Sequence, residues 1–383
     1  MSKVSGNNRL IIHSNHYFMI DSVMSYCVGM DVDKNTFKAC MVARLTSGQT
    51  LVKASKTFPN KEIGFKELLR WKEKYYKHQV ACSFLMEATG VYHEHLAYFL
   101  YQKDQCVHIV LANKAKRYIQ SLGIRSKNDK IDAQGLAIMG VQQCLEQWKP
   151  ISLALYSLRS LTRQVESLQN SKTVFKNQLE AASHSAFADK SVIKSLKSII
   201  KKIDKEILAC QKKVEKYIVE DQELNSKYKL FANLKGLGLM TFAVIVAETG
   251  GFELFKSQSQ LVCYTGYDVV QNDSGKRKGR TKISKKGNTH IRRILHMAAL
   301  NMVRYDIPVF KNLYERIYDR TKVKMKGYAA IQRKLLCLVY SLWKRNEAFE
   351  LDHQTKNTSL EKEPKHLFSV SSERTENKKA VPV

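Results

Sequence analysis

The chain has no C-x-x-C pair, no apolar run approaching the length of a membrane span, and few acids for its many bases. Its eight cysteines are scattered from Cys27 to Cys337. That pattern argues against a zinc site and a disulfide framework and fits a reducing cytoplasm. The best apolar stretch, Phe242 to Ala247 with its neighbours, is far too short to cross a bilayer. His13, His16 and Asp21 interrupt the apolar pieces near the N-terminus, so no signal peptide is expected. The shortage of acids leaves a formal charge of +29 on 383 residues. A charge of that size calls for a polyanionic partner, nucleic acid ahead of a membrane surface.

What is present begins with YCVGMDVDKNTFKACMV, Tyr26 to Val42. It reads as strand, tight turn and strand, with Asp33, Lys34 and Asn35 in the turn. Asp31 therefore stands where an apolar strand leaves the core, a costly place for a carboxylate without water, a partner or a metal. A further short strand is expected at Gln49 to Lys53 and a helix over Lys61 to Tyr76. The run VACSFLM, Val80 to Met86, reads as a strand buried on both faces and ends at Glu87. A helix opening at Gly90, a strand over Cys106 to Leu111, a basic helix from Lys114 and a last helix from Asp129 follow. This order suits a mixed sheet with helices packed on it.

Four acids occupy informative places: Asp31 and Glu87 at strand ends, and Asp129 and Asp132 three apart on one helix. Such a set, with no Cys or His ligand pattern beside it, suits a hard ion such as Mg²⁺. Two such ions would clamp the attacking and leaving oxygens of a phosphodiester. A solvated helical face is the plainer reading of Asp132 alone. His93 and His95 read more readily as surface or capping residues than as ligands.

VGMDVDKNTF, MEATGVYHEHLAYFL and NDKIDAQGLA resemble the RuvC-like, RNase H-fold domain of DEDD transposases, an insertion-sequence family described as guided by a bridge RNA. The resemblance implies that Asp31, Glu87, Asp129 and Asp132 are the metal-binding acids. Asp33, two residues after the motif aspartate, suits solvent better.

Residues 149–228 turn to Lys, Glu, Gln, Ser and Leu, and from Ile151 onward carry no proline. Leu158, Leu161, Val165, Leu168, Phe175 and Leu179 form one heptad-like series. Leu196, Ile200, Ile203, Ile207, Cys210, Val214 and Tyr217 form a second. Two long helices joined near Ser183 to Lys190 are expected, a coiled coil suited to self-association. The lysines on them read first as a solvated face, and RNA or DNA contact is the sharper alternative.

Gly236 and Gly238 bracket a turn before an apolar helix, a pattern resembling a helix-hairpin-helix whose backbone N–H groups hold phosphate. The most basic stretch is Asn272 to Arg293, with Lys276, Arg277, Lys278, Arg280, Lys282, Lys285, Lys286, Arg292 and Arg293. On composition alone Ser274 is a turn former. QLVCYTGYDVVQNDSGKRKGRTKISKKGNTHIRRIL resembles the C-terminal domain of the same transposase family, whose serine attacks DNA and forms a phosphoserine link. The resemblance places Ser274 at that serine. Val269 and Lys114 stand where the family often has proline, which puts local backbone shape rather than chemistry in question. The resemblance spans about residues 25 to 345. Residues 297–347 read as helical with a break at Tyr305 to Pro308.

The expected fold is an α/β RNase H/RuvC-like domain, a long α-helical coiled-coil insertion and a mainly α-helical C-terminal domain. The expected boundaries are a flexible lead-in at 1–22, the metal-binding domain at 23–148, the coiled segment at 149–228, the serine domain at 229–350 and a disordered tail at 351–383. The resulting expectation is a cytoplasmic transposase or recombinase moving an insertion sequence by Mg²⁺-dependent cleavage and a phosphoserine intermediate. Its partners would be DNA, a guide RNA and further copies of itself as dimer or tetramer, with no membrane. The rivals are a metal-only Holliday-junction nuclease and a non-catalytic nucleic-acid-binding protein. An actin-like kinase is disfavoured because the chain has no internal repeat.

Overall fold

A computed structural model describes residues 21–76, 80–88, 90–123, 128–271, 279 and 282–350. The expectations for the lead-in and the tail therefore fall outside the described residues, apart from Asp21 and Ser22. Asp21 accepts hydrogen bonds from the backbone and hydroxyl of Ser47, at 2.9 and 2.7 Å. The chain divides into two compact units, Met1–Pro150 and Ile151–Val383.

The first unit opens with β1 (Val23–Val32), β2 (Thr36–Leu45) and β3 (Thr50–Pro59). It continues through α1 (Glu62–Tyr75), β4 (Ala81–Glu87), α2 (Glu94–Gln102), β5 (Cys106–Val110), α3 (Ala112–Ser121) and α4 (Asp129–Gln142). The strand order is β3-β2-β1-β4-β5. The first three strands are antiparallel, and β4 and β5 run parallel to β1. This is the mixed sheet that the order of elements suggested.

Two apolar layers cover the sheet. Val28, Met30, Phe84 and Met86 pack with Phe65, Leu68 and Trp71 of α1 and Leu96 and Leu100 of α2. Cys27, Cys40 and Leu85 pack with Ala115 of α3 and Ala133, Leu136 and Ala137 of α4 on the other face. Adjacent strand residues point to opposite faces, so β1 and β4 are apolar in a continuous run rather than in alternation.

Two expectations need correction. β3 is twice the expected length because it pairs with β2 along its whole extent, with a bulge at Met41/Val42. Helix α2 begins at Glu94, not Gly90; residues 91–93 form a turn first.

The second unit contains α5 (Leu153–Ser183), α6 (Lys190–Glu220), α7 (Gln222–Lys229), α8 (Leu239–Thr249) and α9 (Gln258–Thr265). A two-stranded ribbon of β6 (Val269–Val270) and β7 (Lys282–Ile283) follows. The unit closes with α10 (Thr289–Arg304), α11 (Pro308–Thr321) and α12 (Lys324–Arg345). Helix α8 is buried over nearly its whole length and forms the centre of the core with Leu295, Phe310, Leu335 and Trp343.

Helices α5 and α6 pack on each other as a hairpin. Val165 meets Ile207 and Cys210, and Lys172 pairs with Asp204 farther out. At the base, Leu158, Val214 and Ile218 enter the main core. The expected continuous helix after Met297 is broken a second time at Lys322, whose φ of 52° ends α11. Gly236 carries a φ of +97° in the turn before α8, a conformation that a side chain would strain. That glycine thus has a backbone reason independent of any phosphate.

Candidate active site

The ladder between β1 and β4 ends at Met30↔Met86, so Asp31 and Glu87 are the next residues on two adjacent parallel strands. Open sheets of this kind bind ligands at the carboxyl ends of their strands. Alternation puts Asp31 on the face of Cys27 and Gly29, and Glu87 on the face of Leu85. That is the face covered by α4.

Gly29 determines how closely α4 approaches. A Cβ there would lie 2.2 Å from both the Ala133 carbonyl oxygen and the Ala137 nitrogen. The missing side chain lets the backbone of α4 rest directly on β1. The first turn of α4, with Asp129 and Asp132, is thereby carried to the end of β1 where Asp31 emerges. Asn128 fixes that turn: its side-chain oxygen accepts a 2.9 Å hydrogen bond from the Ile131 N–H.

The electrostatics follow. The Asp31 carboxyl is pushed up to about 6, first by burial and then by the charges of Asp129, Asp132, Glu87 and Asp33. Asp129 and Asp132 alone would be ordinary first-turn acids that stabilise a helix N-terminus. Their effect on a half-buried carboxylate from another element is what makes them a constellation. Asp33 is exposed in the turn, its N–H donating to the Thr36 carbonyl at 2.9 Å. His93 is buried at the start of α2 and His95 is exposed, and neither is among the charges acting on Asp31.

Among the described residues, no three His, Cys, Asp or Glu side chains stand closely enough together to hold one ion. The acids converge on one region without meeting at a point. Their chemistry suits a hard divalent cation: every donor is a carboxylate oxygen, and the nearest cysteines are buried thiols. Burial pushes Cys27 up to about 12 and Cys40 to about 11. All eight cysteines are free.

The second unit carries the basic segment. Ser274, Lys276, Arg277, Lys278 and Arg280 lie outside the described residues. The described residues on either side of them are tied together by backbone hydrogen bonds. The N–H groups of Ser284, Lys285 and Asn288 donate to the carbonyls of Asp268, Gly266 and Tyr264, at 2.8, 3.0 and 2.8 Å. Arg292 donates to the Thr265 carbonyl at 2.7 Å, and Arg293 to Glu166 at 3.0 Å. Both arginines thus have partners within the chain, Arg292 half-buried and Arg293 exposed, and Lys282, Lys285 and Lys286 are exposed as well. Gly238 caps α8 through its carbonyl, which accepts from Thr241 and Phe242.

Sequence reasoning missed the support beneath the basic segment. Glu248 is buried in α8 and receives Arg163 at 2.7 and 2.9 Å and the Asn288 amide at 2.7 Å. A lone glutamate inside the apolar run FAVIVAETGG was the available signal.

Residues 28–187 match the DEDD transposase model of the IS110 group, and residues 228–315 match the model described as the transposase IS116/IS110/IS902 family. The pilin gene-inverting protein of Moraxella bovis is 29% identical over 326 residues, covering 84% of this chain and 97% of that protein. The protein of the same name from Moraxella lacunata matches to the same extent. A structure of T. thermophilus RuvC in complex with a Holliday junction substrate aligns with 32% of this chain and 99% of its own, at 7% identity and a TM-score of 0.26. Among the described residues no helix is long and apolar enough to cross a membrane.

Proposed function

This chain belongs to the IS116/IS110/IS902 family of DEDD transposases, and from that premise we propose how its residues divide the work of cutting and exchanging DNA strands. Asp31, Glu87, Asp129 and Asp132 hold divalent metal, Mg²⁺ by the hardness of the donors and as one or two ions. Metal bound there supplies charge neutralisation at the scissile phosphate. Ser274 is the nucleophile. Its hydroxyl oxygen bonds to phosphorus, its proton leaves, and the sugar oxygen departs as a hydroxyl. The phosphodiester energy is kept in the serine ester, so a second strand's hydroxyl can reverse the step and reseal DNA without ATP. Lys282, Lys285 and Lys286, with Lys276, Arg277, Lys278 and Arg280, neutralise the phosphates that flank the cut.

The observation that carries this reading is the set of carboxylates from β4 and α4 acting on Asp31, near the end of β1, from one face of the sheet. The inversion reaction in the names of the Moraxella relatives supports a recombinase that reseals what it cuts. A guide RNA is part of the proposal, supported by the family resemblance and by the charge of +29. Self-association through α5 and α6 belongs to it as well. Every buried residue of these helices lies in their basal half, and Val174 and Val192 are exposed in the outer half.

The test is denaturing electrophoresis of the protein with end-labelled DNA, followed by peptide mapping of retained label. Wild type should retain label on the peptide containing Ser274, and Ser274→Ala should bind DNA without retaining any. Label on another residue, or efficient cleavage by the alanine variant, would replace this mechanism with metal-only hydrolysis.

A further inference from the structure

The ladder between the two acid-bearing strands ends at Met30 and Met86. Asp31 pairs toward Lys38 on β2, and Glu87 toward Val110 on β5. No ladder bond then sets the distance between the two carboxylates. Asn60 spans the gap. It follows β3, which runs in the same direction as β1 because both are antiparallel to β2, so it lies at the acid end of the sheet. Its amide nitrogen donates to the Asp33 carbonyl at 2.9 Å and to the Tyr92 carbonyl at 3.0 Å. The first belongs to the turn leaving Asp31; the second belongs to the segment leaving Glu87. Its backbone N–H donates to Asn35 in the same turn at 2.8 Å.

The amide oxygen of Asn60 is buried without a partner among the described residues. Flipping the amide would set that oxygen against two carbonyl oxygens, so the partners assign the orientation. A buried acceptor left unmatched while both amide protons are used is a cost that calls for a reason. The reason here is the bridge between two turns that no strand pairing joins.

We propose that Asn60 is a positioning residue, clamping the turn after Asp31 to the segment after Glu87 and so setting the separation of these two carboxylates for a divalent cation. The proposal rests on the metal-binding reading of the acids. Outer-sphere partners that orient metal ligands typically change affinity by about 10–100-fold when removed.

The experiment titrates the full chain with Mn²⁺ alone, reading free Mn²⁺ by electron paramagnetic resonance, for wild type, Asn60→Ser and Asn60→Ala. Asn60 has two donors for the two carbonyls, serine at most one and alanine none. The midpoint should rise about tenfold or more for alanine and less for serine. The melting midpoint and duplex binding should stay near wild type, and DNA cleavage by Asn60→Ala should return at raised Mg²⁺. If alanine does not fold, the serine midpoint carries the same comparison. Midpoints indistinguishable from wild type, or lost cleavage that added Mg²⁺ does not restore, would overturn the clamp. The series includes Asp31→Asn. Mn²⁺ binding that survives this change would overturn the metal reading and the clamp together. Binding that depends on Asp31 and ignores Asn60 would sink the clamp alone.

Discussion

At Glu248 a buried carboxylate sits on an apolar helix, and its partners decide whether it can remain charged. Burial pushes its carboxyl up, but hydrogen bonds from Arg163 and Asn288 and the Arg163 charge outweigh that and hold it below the ordinary 4.5. A group with a lowered folded pKa contributes stability that is fully present above the unfolded value and fades as pH falls through the folded one. Arg163 is 48% exposed while the Glu248 side chain is 1% exposed, so water screens the cation's side and moderates the effect. Glu248→Gln should therefore cost about 2 kcal/mol at neutral pH. The difference from wild type should shrink as pH drops below 4.5, in denaturant unfolding run across a pH series. A difference that does not change with pH would mean that packing, not charge, holds Asn288 and the base of the basic segment.

Among the elements, the contact of α4 with β1 does most to build the acidic site, and it depends on one missing side chain. A Cβ on Gly29 meets two backbone atoms of α4 at 2.2 Å, and backbone cannot swing aside as a long side chain can. Gly29→Val should displace the helix, destabilise the unit by about 3 kcal/mol or more, and reduce metal-dependent cleavage beyond what the lost stability explains. Thermal melting and cleavage of the folded fraction check this together. Gly135, on the same helix, is a useful comparison. Its added Cβ would meet Ile119, the nearest atom being a side-chain carbon at 2.6 Å, and a side chain can move. Gly135→Ala should cost less and leave cleavage nearer wild type.

For the whole molecule the charge of +29 governs how it meets DNA, and the structure sorts its cations into two kinds. Lys285 and Lys286 are exposed beside β7, whereas Arg292 and Arg293 are held by Thr265, Asn288, Glu166 and Asn170. Only a cation that releases counterions from phosphate contributes to the salt dependence of binding. Lys285→Ala and Lys286→Ala should each flatten the log–log slope for duplex DNA by ~0.9. Arg292→Ala should instead lower the melting midpoint and leave the slope near wild type. Binding measured from low to moderate salt, with a melting curve for each variant, separates the two groups.

What the sequence by itself determined is the local part. A carboxylate inside an apolar strand is costly without a partner, so Asp31 and Glu87 read as standing at strand ends, and β1 closes at Val32 and β4 at Glu87. Heptad spacing dictated α5 and α6, with their connection between Ser183 and Lys190. Motif order placed Asp129 and Asp132 on one helix, because a three-residue step is a helical neighbour whatever the helix packs on. Tertiary structure decided the rest, since it depends on contacts between residues far apart in the chain. β3 was underread because Lys53, Ser55, Lys56 and Thr57 look like loop, and only pairing with β2 holds them in a strand. The composition of 272–293 presents Arg292 only as one cation among many, and its hydrogen bond to the Thr265 carbonyl, 27 residues away, exists only in the folded chain. Asn60 gave no signal of its own. Its two acceptors come from a turn before it and a segment after it, and only the folded sheet brings them within reach of one amide.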